Sequence, residues 1–293
     1  MCYHYTIPDY INILSFFESR INCYNIGMKS DDRAIGIFDS GLGGLTIFKE
    51  VRRMLPAENI VYFGDSAHVP YGSKSKETVS GYSVNIAKFL ESKKVKLILI
   101  ACNTASALAL PVVKRSVKVP VLGVIAPGAK CAAGASKNKK IAVLATESTV
   151  KSEAYPMHIK RLDKTIATGQ YACPLFVPVI EEGLLSGPIT KLVIDRYLAP
   201  VKKFGADTVI LGCTHYPVIK KSIAAALGKN VKLVDSAEEI AKEAKTLLTK
   251  KGLLRRGGKA KIQIYASDSP DRFAKLATRI IGGARPKVRL EKF

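Results

Sequence analysis

Two stretches of this chain run apolar residues straight into a cysteine: KLILIACNTASA, Lys96 to Ala107, and DTVILGCTHYP, Asp207 to Pro217. Cys102 and Cys213 lie 111 residues apart, and small or polar residues follow each at once. An apolar run of this length, bounded by a turn signal, fits a strand buried on both faces of a parallel sheet. Each cysteine then stands at a carboxyl strand end, where open α/β sheets bind their ligands. A thiol has an unperturbed pKa of about 8.5, so it can serve as acid or base near neutral pH. A helix is expected soon after each cysteine, and a helix start beside a thiol favours its thiolate. One such cysteine would be packing; a matched pair implies two similar lobes, each offering a thiol to a shared site.

The elements that must hold these thiols alternate regularly from Ala34 onward. AIGIF, NIVYFGD, the Cys102 run, VPVLGVI, KIAVLAT, KTIATGQY, the Cys213 run, VKLVDSA and KIQIYAS read as strands. LTIFKEVRRML, a segment ending near Leu90, ASALAL, ITKLVIDRYLAPVKKF, EEIAKEAKTLL and DRFAKLATRI read as helices. Thr104 or Asn103 is expected to cap the helix after Cys102. The alternation predicts an α/β fold of two pseudo-symmetric lobes, each a mainly parallel sheet flanked by helices, with the site in the cleft between them. A turn at Ala126 and Pro127, and a second break near 236, set the expected division: an extension over 1–30, a first lobe of 31–126 plus 237–293, and a second of 127–236.

DSGLGG follows the first strand and has the look of a phosphate loop, yet it lacks the GxxxxGK[ST] pattern and the dinucleotide fingerprint. Asp39 at that strand end would repel a phosphate. A zwitterionic ligand or proton handling suits it better.

Composition narrows the class. The 293 residues can bury a substantial core, and 47% hydrophobic content without an apolar run near 18 residues leaves no membrane helix. The six cysteines form no CxxC pair, which fits free thiols in a reducing cytoplasm and disfavours a redox protein. With four histidines and no HxH or HExxH, no metal centre is expected. The net charge of +22 raises a nucleic-acid reading, but the lysines and arginines are scattered and no aromatic stacking run accompanies them, so a solvated basic surface is expected. The first 30 residues are aromatic and nearly uncharged, with Ile13, Phe17 and Ile21 able to line one helix face. They lack the basic start and cleavage site of a signal peptide, and Met28 is an alternative start.

FDSGLGG, VYFGDSAHVPYG, ACNTASA, VPVIEEG and GCTHYP, in this order, closely resemble the glutamate racemases of bacteria, over roughly Ile35 to Arg279. The wider aspartate/glutamate racemase superfamily shares the two-cysteine plan; DSGLGG, VPYG and THYP together point to the glutamate branch. The resemblance implies a cofactor-free interconversion of L- and D-glutamate that supplies D-glutamate for peptidoglycan, in a cytoplasmic homo-oligomer, a dimer. Cys102 and Cys213 would flank the α-carbon, one removing its proton and the other returning one to the opposite face, with Cys213 acting on L-glutamate and Cys102 on D-glutamate. Inverting a stereocentre needs such an acid and base on opposite faces. By the same resemblance Asp39 assists Cys102 and His215 assists Cys213. Asp39, Ser40, Tyr71, Gly72, Asn103, Thr104, Thr214 and His215 match substrate contacts, and Asp65 and Glu181 match secondary acidic positions. Racemisation of aspartate or a hydantoin on the same scaffold, or a basic nucleic-acid-binding protein, are the rival readings.

Overall fold

The structure is a computed structural model that describes residues 30–293. The expectations for Cys2, Cys23, Met28 and a helix face of Ile13, Phe17 and Ile21 lie outside the described residues.

The apolar runs form two parallel sheets. In the first, β1 (Ile35–Asp39), β2 (Ile60–Gly64), β3 (Leu97–Ile100), β4 (Val121–Gly123), β9 (Ile262–Ala266) and β10 (Val288–Leu290) stand in the order β10-β9-β2-β1-β3-β4. In the second, β5 (Lys140–Ala145), β6 (Ala167–Ala172), β7 (Thr208–Gly212) and β8 (Lys232–Asp235) stand in the order β6-β5-β7-β8. Every residue of β1, β2, β3 and β7 is buried, as continuous apolar runs between two layers of helices require. The predicted α/β architecture is borne out, though the two sheets differ in size and β10 was not foreseen in VRL.

Helices cover both faces of each sheet. α1 (Leu45–Met54) turns Leu45, Ile47, Phe48 and Val51 inward and joins α10 (Ser236–Lys250) and α11 (Pro270–Ile281) on one face of the first sheet. α2 (Lys76–Ser92) and α3 (Asn103–Ser116) cover the other. On the second sheet α4 (Ile125–Ala135) and α6 (Ala154–Leu162) lie on one face, with the short α5 (Glu147–Lys151) ahead of α6. α7 (Phe176–Glu181), α8 (Pro188–Phe204) and α9 (Lys220–Leu227) lie on the other. The chain thus leaves the first sheet after β4, builds the second, and returns through α10.

Three local expectations are corrected. Ala126 and Pro127 are not a turn but the first turn of α4, where a proline gives up no intrahelical hydrogen bond. The cap of α3 is neither Asn103 nor Thr104: Cys102 itself takes that place, its sulfur accepting from the Ala105 N–H at 3.5 Å. After Cys213 comes a 3-10 turn, Tyr216–Ile219, before α9 begins, so no α-helix starts beside that thiol.

Strand order places the site. From β1 the chain steps to β2 on one side and then to β3 on the other, so the first sheet reverses between β1 and β3. The second reverses in the same way between β5 and β7. Crevices open at the carboxyl ends of strands flanking such a reversal. Asp39 ends β1, Cys102 follows β3, Thr146 follows β5 and Cys213 follows β7. Away from this cleft, Lys93, Lys94, Lys137, Lys139 and Lys140 are exposed. Among the described residues no helix is long and apolar enough to cross a membrane.

Candidate active site

On the first lobe, Asp39 is fully buried, with the Gly41 N–H donating to its carboxylate at 3.0 Å. Burial raises its pKa, against the opposing pull of His215 and the Gly44 and Gly41 amides. The Cys102 thiol is pushed up to about 12, by burial first and by the Asp39 charge second; the Ala105 N–H and the Ser40 hydroxyl only partly oppose this. The helix start therefore does not prevail: desolvation exceeds it, and Cys102 rests as a thiol. Tyr62 closes the floor, its hydroxyl donating to the Gly41 carbonyl at 2.9 Å.

The second lobe meets this side directly. The Thr214 hydroxyl donates to Asp39 at 3.4 Å across the cleft. A Cβ at Gly43 would lie 2.3 Å from Thr214 Oγ1 and 2.8 Å from His215 Nδ1, so only glycine lets the lobes approach this closely. His215 Nδ1 is 3.9 Å from the Cys213 sulfur, and its Nε2 is 3.2 Å from Glu181 Oε1 at the end of α7. That second contact is an ion pair by distance without hydrogen-bond alignment. Burial alone would lower His215; Cys213, Glu181 and Asp39 outweigh it and hold the imidazole up at about 10. His215 is thus a buried cation beside Cys213.

The back of the cleft is built where the lobes touch beside α3. Thr104 Oγ1 lies 2.9 Å from Thr146 Oγ1 and 3.2 Å from Thr149 Oγ1, and those two are 2.9 Å apart. Asn103 Nδ2 donates to the Tyr155 hydroxyl at 2.8 Å. Gly72 lies against the Thr146 side chain, and the Ser148 hydroxyl donates to the Lys74 carbonyl at 3.0 Å. Tyr71 is buried and donates to Asp65 Oδ2 at 2.5 Å, while Ser267 donates to Asp65 Oδ1 at 2.6 Å. Burial, then the Asp65 charge, raise the Tyr71 hydroxyl far above its ordinary range.

Cys213 is close enough to add to the upward push on Cys102, and the two are only 5% and 8% exposed. A cavity of about 390 Å³, bordered by Gly43, Val69, Glu181, His215 and Arg272, opens beside them, but neither cysteine lines it. It meets the site at His215. The two thiols lie in different electrostatic settings: a protonated Cys102 near a carboxylate, and Cys213 beside an imidazolium.

Comparison with known proteins agrees with this arrangement. Residues 35–244 match the Asp/Glu/Hydantoin racemase family. The glutamate racemase of Geobacter metallireducens is 46% identical over 252 residues, which cover 86% of this chain and 93% of that protein. The chain belongs to this family.

Solved members of the family superpose over the same span. A glutamate racemase isoform from Bacillus anthracis matches with a TM-score of 0.87 at 36% identity, covering 89% of this chain and 98% of that one. The Francisella tularensis glutamate racemase, crystallised with D-glutamate, matches with a TM-score of 0.85 at 38% identity over 89% and 98% of the two chains.

Of the twelve residues singled out from sequence, Cys102, Cys213, Asp39, Ser40, Asn103, Thr104, Thr214 and His215 converge on the cleft, and all eight are buried. Tyr71 and Gly72 border it from VPYG. Glu181 reaches the site only through His215 and is 43% exposed. Asp65 faces Tyr71, Ser267 and His68. Sequence reading missed Tyr62, Thr146, Thr149 and Tyr155. The signal for the threonines was present: KIAVLAT ends in Thr146 at another carboxyl strand end, the position already used to single out the cysteines.

Proposed function

We propose that the chain is a cofactor-independent glutamate racemase in which Cys102 and Cys213 act as a two-base pair. The observation that carries this reading is the placement of one thiol at the reversal point of each sheet, each beside its own charged partner. The relatives named glutamate racemase support glutamate as the substrate, over aspartate or a hydantoin.

The two settings assign the roles. Cys102, held at about 12, waits as a thiol and serves as the acid. Cys213, 3.9 Å from the His215 ring, serves as the base toward L-glutamate. Cys213 takes the α-proton, the carbanion forms between the sulfurs, and Cys102 delivers its proton to the opposite face, giving D-glutamate. Cys102 is then a thiolate and Cys213 a thiol, the state that accepts D-glutamate. Asp39, its carboxyl raised by burial, is the nearby group suited to exchange a proton with Cys102. Ser40, Tyr71, Gly72, Asn103, Thr104 and Thr214 contact the substrate. Because both thiols are nearly buried, substrate enters by opening of the lobes, with the chain crossings at the starts of α4 and α10 as the hinge.

In this reading the enzyme works in the cytoplasm and supplies D-glutamate to peptidoglycan. Exposed Leu184, Leu185, Ile189 and Leu192 favour a homodimer, which sedimentation would detect. The deciding assay follows L-glutamate alone, without pyridoxal phosphate, by circular dichroism: decay of ellipticity to zero supports the reading. A chain that racemises aspartate but leaves glutamate unchanged would move it to the rival substrate.

A further inference from the structure

Asn103 is the first residue of α3, directly after Cys102, and its amide is tied across the lobe boundary. Nδ2 donates to Tyr155 Oη at 2.8 Å. Tyr155 belongs to α6 of the second lobe, is fully buried, and takes no part in the proton transfers described above. A tyrosine hydroxyl can accept an amide N–H or donate to an amide oxygen, so this contact alone does not orient Asn103. The orientation depends on where the Tyr155 proton goes.

Ser236, the first residue of α10, provides the answer. Its Oγ is buried and meets no partner in strict hydrogen-bond geometry, yet it lies near enough to the Tyr155 hydroxyl to interact with it. It converges with Tyr155 on Gly128 of α4: a Cβ there would lie 2.5 Å from Ser236 Oγ and 3.5 Å from Tyr155 Oη. Glycine at 128 is what leaves room for the Ser236 hydroxyl. Burial pushes the Tyr155 hydroxyl up to about 12, so it keeps its proton at working pH. A buried hydroxyl without a partner is costly, and the Tyr155 proton directed toward Ser236 relieves it. The tyrosine lone pair then remains for the Asn103 N–H.

We propose that Tyr155 is a positioning residue: held by Ser236, it fixes the Asn103 amide so that Oδ1 and the second N–H form one edge facing the cleft. An acceptor and a donor side by side match the α-ammonium and α-carboxylate of an amino-acid zwitterion. The file Ser236–Tyr155–Asn103 joins the return helix of the first lobe, the second lobe and the Cys102 helix, so the edge is set only when the lobes are docked. This rests on the racemase reading, in which Asn103 touches substrate.

The test is a double-mutant cycle on the full chain, read as KM and kcat in both directions with melting temperature alongside. Tyr155→Phe keeps the ring in its core and removes the acceptor. It is expected to raise KM for both enantiomers about 3- to 10-fold, the range of one hydrogen bond, with a smaller change in kcat. Asn103→Ala raises KM by itself, and adding Tyr155→Phe to it changes KM by less than twofold, because the tyrosine no longer has an amide to orient. Should Tyr155→Phe fail to fold, Ser236→Ala reads the same file from its far end and must also raise KM. Unchanged KM in Tyr155→Phe or, where that variant does not fold, in Ser236→Ala overturns the proposal. KM factors that multiply in the double mutant do the same. Absence of any turnover by the unmutated chain is a different failure, because it removes the racemase reading first.

Discussion

The resting state of Cys102 can be tested through its reactivity. Its thiol is raised from 9.0 to about 12, by burial and by Asp39. At pH 8 the thiolate fraction is then about 10⁻⁴, against about 10⁻¹ for a thiol at 9.0, a deficit of roughly a thousandfold. The more basic thiolate is the better nucleophile, which returns about 20-fold and leaves a net deficit of about 50-fold. Alkylation by iodoacetamide, followed at each cysteine by peptide mass spectrometry from pH 7 to 10, measures this directly. Restricted access scales the absolute rate at every pH but does not move the bend in the profile. The Cys102 rate should climb tenfold per pH unit through pH 10 without levelling. In Asp39→Asn, with the carboxylate charge gone, the profile should bend at lower pH. A wild-type profile that levels below pH 9 would refute the claim that desolvation exceeds the helix start, and with it the assignment of Cys102 as the resting acid.

Gly43→Ala places a methyl 2.3 Å from Thr214 Oγ1, so it should cut kcat/KM by more than tenfold while the circular dichroism spectrum and melting temperature stay near wild type. Lys96 and Glu58 form an ion pair at 2.6 Å with both side chains buried, and Lys96→Met should cost about 3–5 kcal/mol in urea unfolding by stranding Glu58. His215 is held up from 6.5 to about 10 in the folded protein, so the native state keeps a proton that the unfolded chain releases. Its stabilising share is complete below pH 6.5 and is lost as pH rises toward 10. Thermal melts of wild type should therefore fall faster with pH over that window than those of His215→Asn.

The cleft was legible in the sequence because a parallel strand buried on both faces leaves an unbroken apolar run that stops where the site begins. Cys102, Cys213 and Asp39 stand at such stops. The lobe contacts were not legible. Gly43 meets Thr214 and His215, and Asn103 meets Tyr155, only once two sheets distant in sequence are docked, and no local period encodes that docking. The burial of Lys96 was hidden for the same reason: its ammonium is satisfied by Glu58 and by the carbonyls of Asp31 and Leu253, from three separate segments. The cap of α3 was misplaced by one or two residues because a cysteine sulfur is a weaker acceptor than the Asn and Thr oxygens beside it. The helix at Phe176–Glu181 passed unnoticed because its six residues are too few to show a period.

The central claim is that one thiol serves each face of the substrate. The most direct measurement is α-proton exchange and enantiomer interconversion in deuterated water for Cys102→Ala and Cys213→Ala, each given L- and D-glutamate separately. Both variants should lose interconversion. Cys102→Ala, which keeps Cys213, should exchange the α-proton of L-glutamate alone, and Cys213→Ala that of D-glutamate alone. Interconversion surviving in either variant, or both enantiomers exchanging in one of them, would contradict a two-base site.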